Sequence, residues 1–239
     1  REPAPEDEGA EFGLNIRIDA LNLTEGGFSF AMPAAGPDEP PRRIDLENIG
    51  LAVSDASLQG RAGRLELDIR SGQVDIAGIH TPLEGFELTT ALSGGRLDPL
   101  RVVLQTPRSR LRVSGRAADI FETPRLDLDL ALSAELSEIQ RMFRLPVGLS
   151  GPLELKATAE GDLADPDVSA ALNYGGGRLA GIGVQTIGLE CRMRERKVTI
   201  KRLAAASAIG SLEARGTVDL HSAFDRGFLA APGDLQAIS

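Results

Sequence analysis

Apolar and polar residues alternate along most of this chain. From Leu126 to Leu132 every second residue is leucine, and aspartate or alanine fills the positions between them. Successive side chains of a β-strand point to opposite faces, so this pattern predicts strands with one apolar and one polar face. Similar runs recur from residue 14 to residue 200. The chain is therefore predicted to be all-β and mainly antiparallel.

Turn signals separate the alternating runs at intervals of roughly 8 to 15 residues. They are Gly26-Gly27, Ser71-Gly72, Gly94-Gly95, Ala164-Asp165-Pro166 and Gly175-Gly176-Gly177. Short connections join strands that are neighbours in space, so we expect a meander.

Composition divides the chain further. Residues 1–11 form a predicted acidic, disordered tail, and the proline-rich residues 33–41 form a predicted flexible loop. Around that loop, residues 12–125 form a first strand-rich segment. A strand with a short helical insert follows at 126–148, and a second strand-rich segment occupies 149–239.

The helical insert is recognised by a change of period. After Ser133, a predicted N-cap, the apolar residues Leu136, Ile139, Met142 and Phe143 fall on one face of a helix. We expect one short amphipathic helix that packs on the sheet.

A faint repeat links the two strand-rich segments. Residues 86–115 align without gaps on residues 187–216, so that Arg101 meets Arg202 and Gly115 meets Gly216. Such self-similarity is typical of structures that grow by adding similar groups of strands along one axis.

Composition and charge exclude several classes of function. The chain has 35 acidic and 26 basic residues and a net charge of −9, which argues against binding nucleic acid by charge. One cysteine and two histidines are too few for a disulfide framework or a histidine-rich metal site. We therefore expect no catalytic residues, no metal site and no cofactor, and a protein that is not an enzyme.

The order of motifs after Leu126 resembles a known family. A leucine-aspartate strand at 126–130 and a short helix ending at Phe143 are followed by Gly148-Leu149-Ser150-Gly151-Pro152 and by Gly161-Asp162-Leu163-Ala164-Asp165-Pro166. This order resembles the repeated unit of the TamB and AsmA-like bacterial envelope proteins, which belong to the bridge-like lipid-transfer proteins. Residues 16–28 are similar to the strand, turn and strand with which that family's units open.

The resemblance implies an elongated, curved β-sheet, a β-taco, that is open along one side and has a hydrophobic groove. It also implies a periplasmic location in the cell envelope and a role in moving phospholipid between the inner and outer membranes, in outer-membrane biogenesis. Expected partners are phospholipid acyl chains, an outer-membrane protein, and an inner-membrane anchor in the parent chain. The sequence begins at Arg1 rather than Met, so we expect it to be a segment of a longer chain.

Alternation assigns the predicted lining of that groove to the apolar positions of the strands. The predicted lining consists of Leu14, Ile16, Ile18, Leu65, Leu67, Ile69, Phe86, Leu88, Leu111, Val113, Leu126, Leu128, Leu130, Leu153, Leu155, Val168, Leu172, Ile187, Leu189, Met193, Val198 and Ile200.

Two other interpretations remain open at this point. Alternating strands are also typical of a closed β-sandwich, which here would be a structural or scaffold module of the cell envelope that binds protein partners. A β-solenoid that binds or cleaves polysaccharide is disfavoured, because the chain has no Trp and one Tyr to serve as sugar-stacking platforms.

Overall fold

A computed structural model describes residues 16–32, 42–57, 59–76, 79–143 and 145–219. In this part of the chain fifteen strands form a single open, curved sheet, accompanied by one short helix. The expected all-β, mainly antiparallel fold is confirmed. The predicted tail at 1–11 and the predicted loop at 33–41 lie outside the described residues.

The described residues form fifteen strands and one helix. They are β1 (Arg17–Met32), β2 (Arg42–Ser57), β3 (Ala62–Ile76), β4 (Ile79–Leu83), β5 (Gly85–Ser93), β6 (Arg96–Gln105), β7 (Arg110–Ala118), β8 (Arg125–Glu135), α1 (Leu136–Met142), β9 (Leu149–Ser150), β10 (Pro152–Asp162), β11 (Asp167–Tyr174), β12 (Gly177–Leu179), β13 (Ile182–Arg194), β14 (Lys197–Ser207) and β15 (Gly210–Asp219).

The long strands follow one another across the sheet in chain order. The path runs β1-β2-β3-β5-β6-β7-β8-β10-β11-β13, continues to β14 and β15, and is antiparallel at every step. The short strands lie at one end of the long ones: β4 pairs with β3, β12 pairs with β13, and β9 pairs with β12. The segments 12–125 and 149–239 therefore contribute strands to one continuous sheet. At a strand spacing of about 4.8 Å, the twelve strands of the path extend over about 50 Å.

Two predicted turns are wrong, because their glycines lie inside long strands. Gly26-Gly27 falls within the 16 residues of β1, where the register shifts as in a β-bulge. Ser71-Gly72 falls within β3, and a Cβ atom on Gly72 would lie only 2.8 Å from the carbonyl oxygen of Asp45. Glycine at these positions serves a bulge and a close approach of two strands.

The helix is found, but its predicted N-cap is wrong. Ser133 pairs with Arg110 on β7 and with Glu154 on β10, and this pairing on both sides continues β8 to Glu135. Helix α1 begins at Leu136, and Glu135 precedes it without a side-chain capping bond.

The residues matched by the sequence repeat lie in corresponding strands. The repeat aligns β5, β6 and β7 with β13, β14 and β15. The turn at Gly94 and Gly95 is matched by Glu195 and Arg196, and all four residues have positive φ angles of 50 to 81°. Both turns therefore have the left-handed backbone that tight hairpins require.

The two glycines aligned by the repeat give a matched test of the sheet. Gly115 has φ +145°, and a Cβ atom there would lie 2.0 Å from the Asp127 carbonyl oxygen on β8, while a Cβ atom on Gly216 meets nothing within 4 Å. We expect Gly115→Ala to lower the free energy of unfolding by about 2 kcal/mol or more. Gly216→Ala should change it by less than about 0.5 kcal/mol. Urea unfolding measures both, and equal effects would contradict the described β7–β8 packing.

Candidate functional site

Apolar side chains line up in rows that run across the strands. Residues directly paired in an antiparallel sheet place their side chains on the same face. Following the pairs from β2 to β15 gives a first row: Ile49, Ile69, Phe86, Leu104, Leu111, Leu132, Leu155, Leu172, Leu189, Leu203 and Ala214.

Two further rows lie beside the first, and both begin on β1. The second row is Leu23, Leu51, Leu67, Leu88, Val102, Val113, Leu130, Ala157, Ala170, Cys191, Ile200 and Gly216. The third row is Leu21, Val53, Leu65, Thr90, Leu100, Gly115, Leu128, Ala159, Val168, Met193, Val198 and Val218. We call the surface formed by the three rows the apolar face.

No second layer of described residues covers this face. All fifteen described strands belong to one sheet, and no large side chain among the described residues is fully buried. At the two edges of the described sheet the rows contain strongly exposed side chains, with Leu23 45% and Val218 39% exposed. A sheet of this size normally buries its apolar side against another layer. The apolar face is therefore a large hydrophobic surface, and such surfaces mark sites of interaction.

Most of the predicted lining residues from β3 to β14 fall in the three rows. Those in the three rows are Leu65, Leu67, Ile69, Phe86, Leu88, Leu111, Val113, Leu128, Leu130, Leu155, Val168, Leu172, Leu189, Met193, Val198 and Ile200. Leu126 pairs with Ala117 and Gly161 beyond the third row. Leu153 pairs with Tyr174, and Tyr174 with Ile187, beside the first row.

The three predicted residues nearest the N-terminus do not join the rows. Leu14 lies outside the described residues, and Ile16 precedes β1. Ile18 pairs with Ala56 and is three residues from Leu21, so alternation places it on the other face. On β1 the rows contain Leu21 and Leu23 instead.

Several residues of the rows were missed by the prediction. On β2, Leu51 and Val53 lie between the small residues Gly50, Ala52 and Ser54, which weakens the contrast of the alternation. On β6, Val103 lies between the row residues Val102 and Leu104. It points to the opposite face but is also apolar, so apolar and polar residues do not alternate there. The pairing partners of these strands, such as Leu67 opposite Leu51, carry the signal more clearly.

Beyond the first row, at the end of the strands next to β9, the apolar side of the sheet is more deeply buried. Ala134 and Tyr174, which flank Leu153 in the pairing, are only 5% and 3% exposed. The Tyr174 hydroxyl donates to the Ser150 carbonyl oxygen at 2.7 Å. Burial raises the pKa of the Tyr174 phenol, and the nearby Glu135 carboxylate raises it further.

Helix α1 is anchored by a buried carboxylate. Glu138 is 5% exposed and accepts hydrogen bonds from the Thr106 hydroxyl at 2.8 Å, the Arg108 backbone N–H at 3.1 Å and the Ser109 hydroxyl. All three donors lie in the turn between β6 and β7. All three of these described donors are uncharged groups, a hydroxyl, a backbone N–H and a second hydroxyl.

The reverse side of the sheet is charged. Ion pairs connect neighbouring strands there, as between Arg116 and Asp127 at 2.6 Å. Arg192 Nε donates to Asp167 at 2.8 Å, and a second bond from the same guanidinium makes the pair bidentate. This hydrogen bonding lowers the pKa of Asp167, and the charges of Arg192, Arg194 and Lys201 lower it further.

An open depression of about 560 Å³ lies on the charged side. Its charged lining residues are Arg112, Asp129, Lys156, Glu190 and Lys201. Positive and negative side chains alternate around it, so its charge does not select one kind of ion.

Among the residues that the structure describes, no group of three or more His, Cys, Asp or Glu could hold a metal ion. None of the described helical residues belongs to a helix with the length and hydrophobicity needed to cross a membrane.

The bidentate pair predicts a pH dependence of stability. Because the pKa of Asp167 is lowered from 3.8 in the folded state, the pair stabilises the fold at higher pH and loses its effect as the pH falls through that lowered value. We expect Asp167→Asn to lower the urea midpoint slightly at about pH 6, and by less and less as the pH is lowered below 3.8 and through the lowered pKa. Asp129→Asn, which removes a carboxylate without a described ion pair, is the control. A midpoint difference for Asp167→Asn that is unchanged between these pH values would contradict the pair.

Comparison of the chain with models of protein families, with curated proteins and with solved structures found no match.

Proposed function

We propose that this chain is a non-enzymatic lipid-transfer module whose apolar face shields the acyl chains of phospholipid. The observation that carries the proposal is the continuity of three apolar rows across the described sheet with no described layer over them. Such a surface is costly to leave in water, and an acyl chain is a partner of matching chemistry.

The energetics favour a shielding role. A phospholipid with about thirty chain methylenes, each costing about 0.8 kcal/mol in water, would need about 24 kcal/mol to cross an aqueous space unprotected. One leaflet of a bilayer core is about 15 Å thick, so the 50 Å face is about three acyl-chain lengths long. An acyl chain lying along the rows would be in contact with apolar side chains over its whole length.

The chemistry of the rows favours sliding over fixed binding. Thr90 is the one residue in the three rows with a polar oxygen in its side chain, and that oxygen is buried. The remaining side chains are almost all aliphatic, and they offer an acyl chain no directional contact at which to stop. A smooth lining of this kind suits transfer better than it suits a pocket with fixed polar anchors.

The resemblance to TamB and AsmA-like proteins extends the proposal to the cell. In this proposal the module works in the periplasm and carries phospholipid between the inner and outer membranes. The parent chain is anchored in the inner membrane and meets an outer-membrane protein at the far end.

A structural or scaffold module that binds protein partners is the alternative function. Leu21 and Leu23 favour it, because they are 48% and 45% exposed on the edge strand β1, where another protein could add a strand. The closed sandwich first considered for that module does not match the single sheet of the described residues.

Photocrosslinking from the two faces tests the proposal. A photoreactive amino acid at Leu130 or Leu189 should capture phospholipid in cells, because both positions lie in the rows. The same residue at the neighbouring positions Asp129 or Glu190 should capture several-fold less, since alternation places these on the charged side. Mass spectrometry of the purified adducts identifies the lipid.

Equal labelling from both faces would contradict a groove. Protein adducts from Leu130 and Leu189 in place of lipid would instead favour the scaffold alternative.

A further inference from the structure

Strand β15 lies at the edge of the described sheet. In the described part of the chain it pairs only with β14. Nine of its ten residues are exposed, and Ala214 is half-buried. An open edge of this kind presents a row of backbone N–H and C=O groups with which the strand of another molecule can pair.

The two edges of the described sheet differ in regularity. Strand β1 contains the bulge at Gly26, where its register on β2 shifts twice, and bulges of this kind protect edge strands from further pairing. At the irregularity between β14 and β15 the extra residue belongs to β14, which advances three positions from Ile200 to Leu203 while β15 advances two. Strand β15 itself is regular, so it can pair with a new strand over its whole length.

The charged side of β15 is complementary to itself. Glu213 and Arg215 lie on that side, one before and one after Ala214. When two copies of β15 are placed antiparallel about Ala214, Glu213 of each copy lies directly opposite Arg215 of the other. Opposite charges at directly paired positions stabilise a pair of strands. This pairing therefore adds two ion pairs, one on each side of Ala214.

Neighbouring registers lose the complementarity. A pairing centred on Glu213 or on Arg215 places like charges opposite each other, and a pairing centred on Gly216 places Glu213 opposite Asp219. A pairing centred between two residues joins the apolar face of one copy to the charged side of the other. The register centred on Ala214 keeps both apolar faces on one side and pairs every residue from 210 to 218.

The apolar side of β15 fits the same register. Leu212, which is 57% exposed, lies opposite Gly216 of the second copy, and Val218, which is 39% exposed, lies opposite Gly210 of the second copy. A Cβ atom on either glycine would meet nothing within 4 Å, so each glycine leaves open space for the larger side chain. The pairing therefore shelters the two large apolar side chains that this edge exposes.

We propose that β15 is a dimerisation edge, at which two copies of this chain pair antiparallel with Ala214 of one copy opposite Ala214 of the other. The copies are related by a twofold axis, the commonest symmetry of protein oligomers. The apolar face then continues from one copy into the other over about 100 Å, twice its length in one copy. One pair of strands is a small interface, so we expect a reversible dimer that depends on protein concentration.

Sedimentation equilibrium of the whole chain, without lipid, tests the dimer by charge reversal. Wild type should be in a monomer–dimer equilibrium. Glu213→Arg and Arg215→Glu should each weaken dimerisation by about tenfold or more, because each variant places like charges opposite each other at both ion pairs. An equimolar mixture of the two variants should associate about as strongly as wild type, since opposite charges then meet at both pairs. Recovery on mixing also excludes a folding defect in either variant.

Glu66→Arg is the matched control for charge reversal. It makes the same change on the charged side of β3, away from both edges of the described sheet, and should leave dimerisation unchanged.

A disulfide tests the register. With Cys191→Ala, the variant Ala214→Cys should form a disulfide-linked dimer under mild oxidation, because directly paired residues of antiparallel strands have Cα atoms about 4.5–5.5 Å apart, which suits a disulfide. Leu212→Cys, two residues away on the same face, is the matched control. Its thiols would be four residues apart along the paired strands, about 14 Å, and should not be linked.

The possible results separate the dimer from the proposed function. A chain that stays monomeric at every concentration would overturn the dimer and favour another segment of the same chain as the neighbour of β15. A dimer that charge reversal does not weaken, or Leu212→Cys linked as readily as Ala214→Cys, would overturn pairing about Ala214. None of these measurements contains lipid, so the dimer and lipid transfer can each fail while the other stands.

Discussion

Antiparallel backbone pairing holds the alternation of twelve strands in register, and the rest of the structure depends on that pairing. A slip of one residue at any strand would turn its leucines to the charged side and break all three rows. The rows continue even where the register shifts, as between Leu97 and Leu100 on β6 and between Ile200 and Leu203 on β14. These irregularities lie on β6 and β14, two strands that the repeat aligns with each other.

An uncovered sheet obtains its stability differently from a sandwich. Its apolar side chains pack against neighbours in the same row, and its charged side adds ion pairs such as that of Arg192 with Asp167. Deep burial is limited to a few places, and several of them, Leu83, Thr106, Ala134, Glu138 and Tyr174, lie at the end of the strands where α1 and β9 are attached. Among the described residues, burial is therefore deepest at that end of the strands, while the rows stay open.

Alternation predicted most of the strands and many residues of the rows, because period two is a local property that survives into the sheet. It missed the rows on β2 and β6, where small or apolar residues such as Ala52 and Val103 fill positions between the row residues. Glycine predicted turns less well than alternation predicted strands. Gly26 and Gly72 predicted turns where the structure has a bulge and a close strand contact, whereas the tight turn at Glu195 and Arg196 has no glycine. The N-cap at Ser133 failed because pairing with two neighbouring strands outweighs a local capping preference. The hydrogen bonds to Glu138 come from a turn 29 to 32 residues away, so no local pattern in the sequence predicts them.

Native mass spectrometry of the whole chain after exposure to phospholipid vesicles tests the central claim most directly. If the apolar face shields acyl chains, the protein should carry additional mass equal to one or more intact phospholipids, and Leu130→Glu should lose this mass while Asp129→Glu keeps it. A spectrum that shows only the unliganded protein, with all lipid left in the vesicles, would contradict the account.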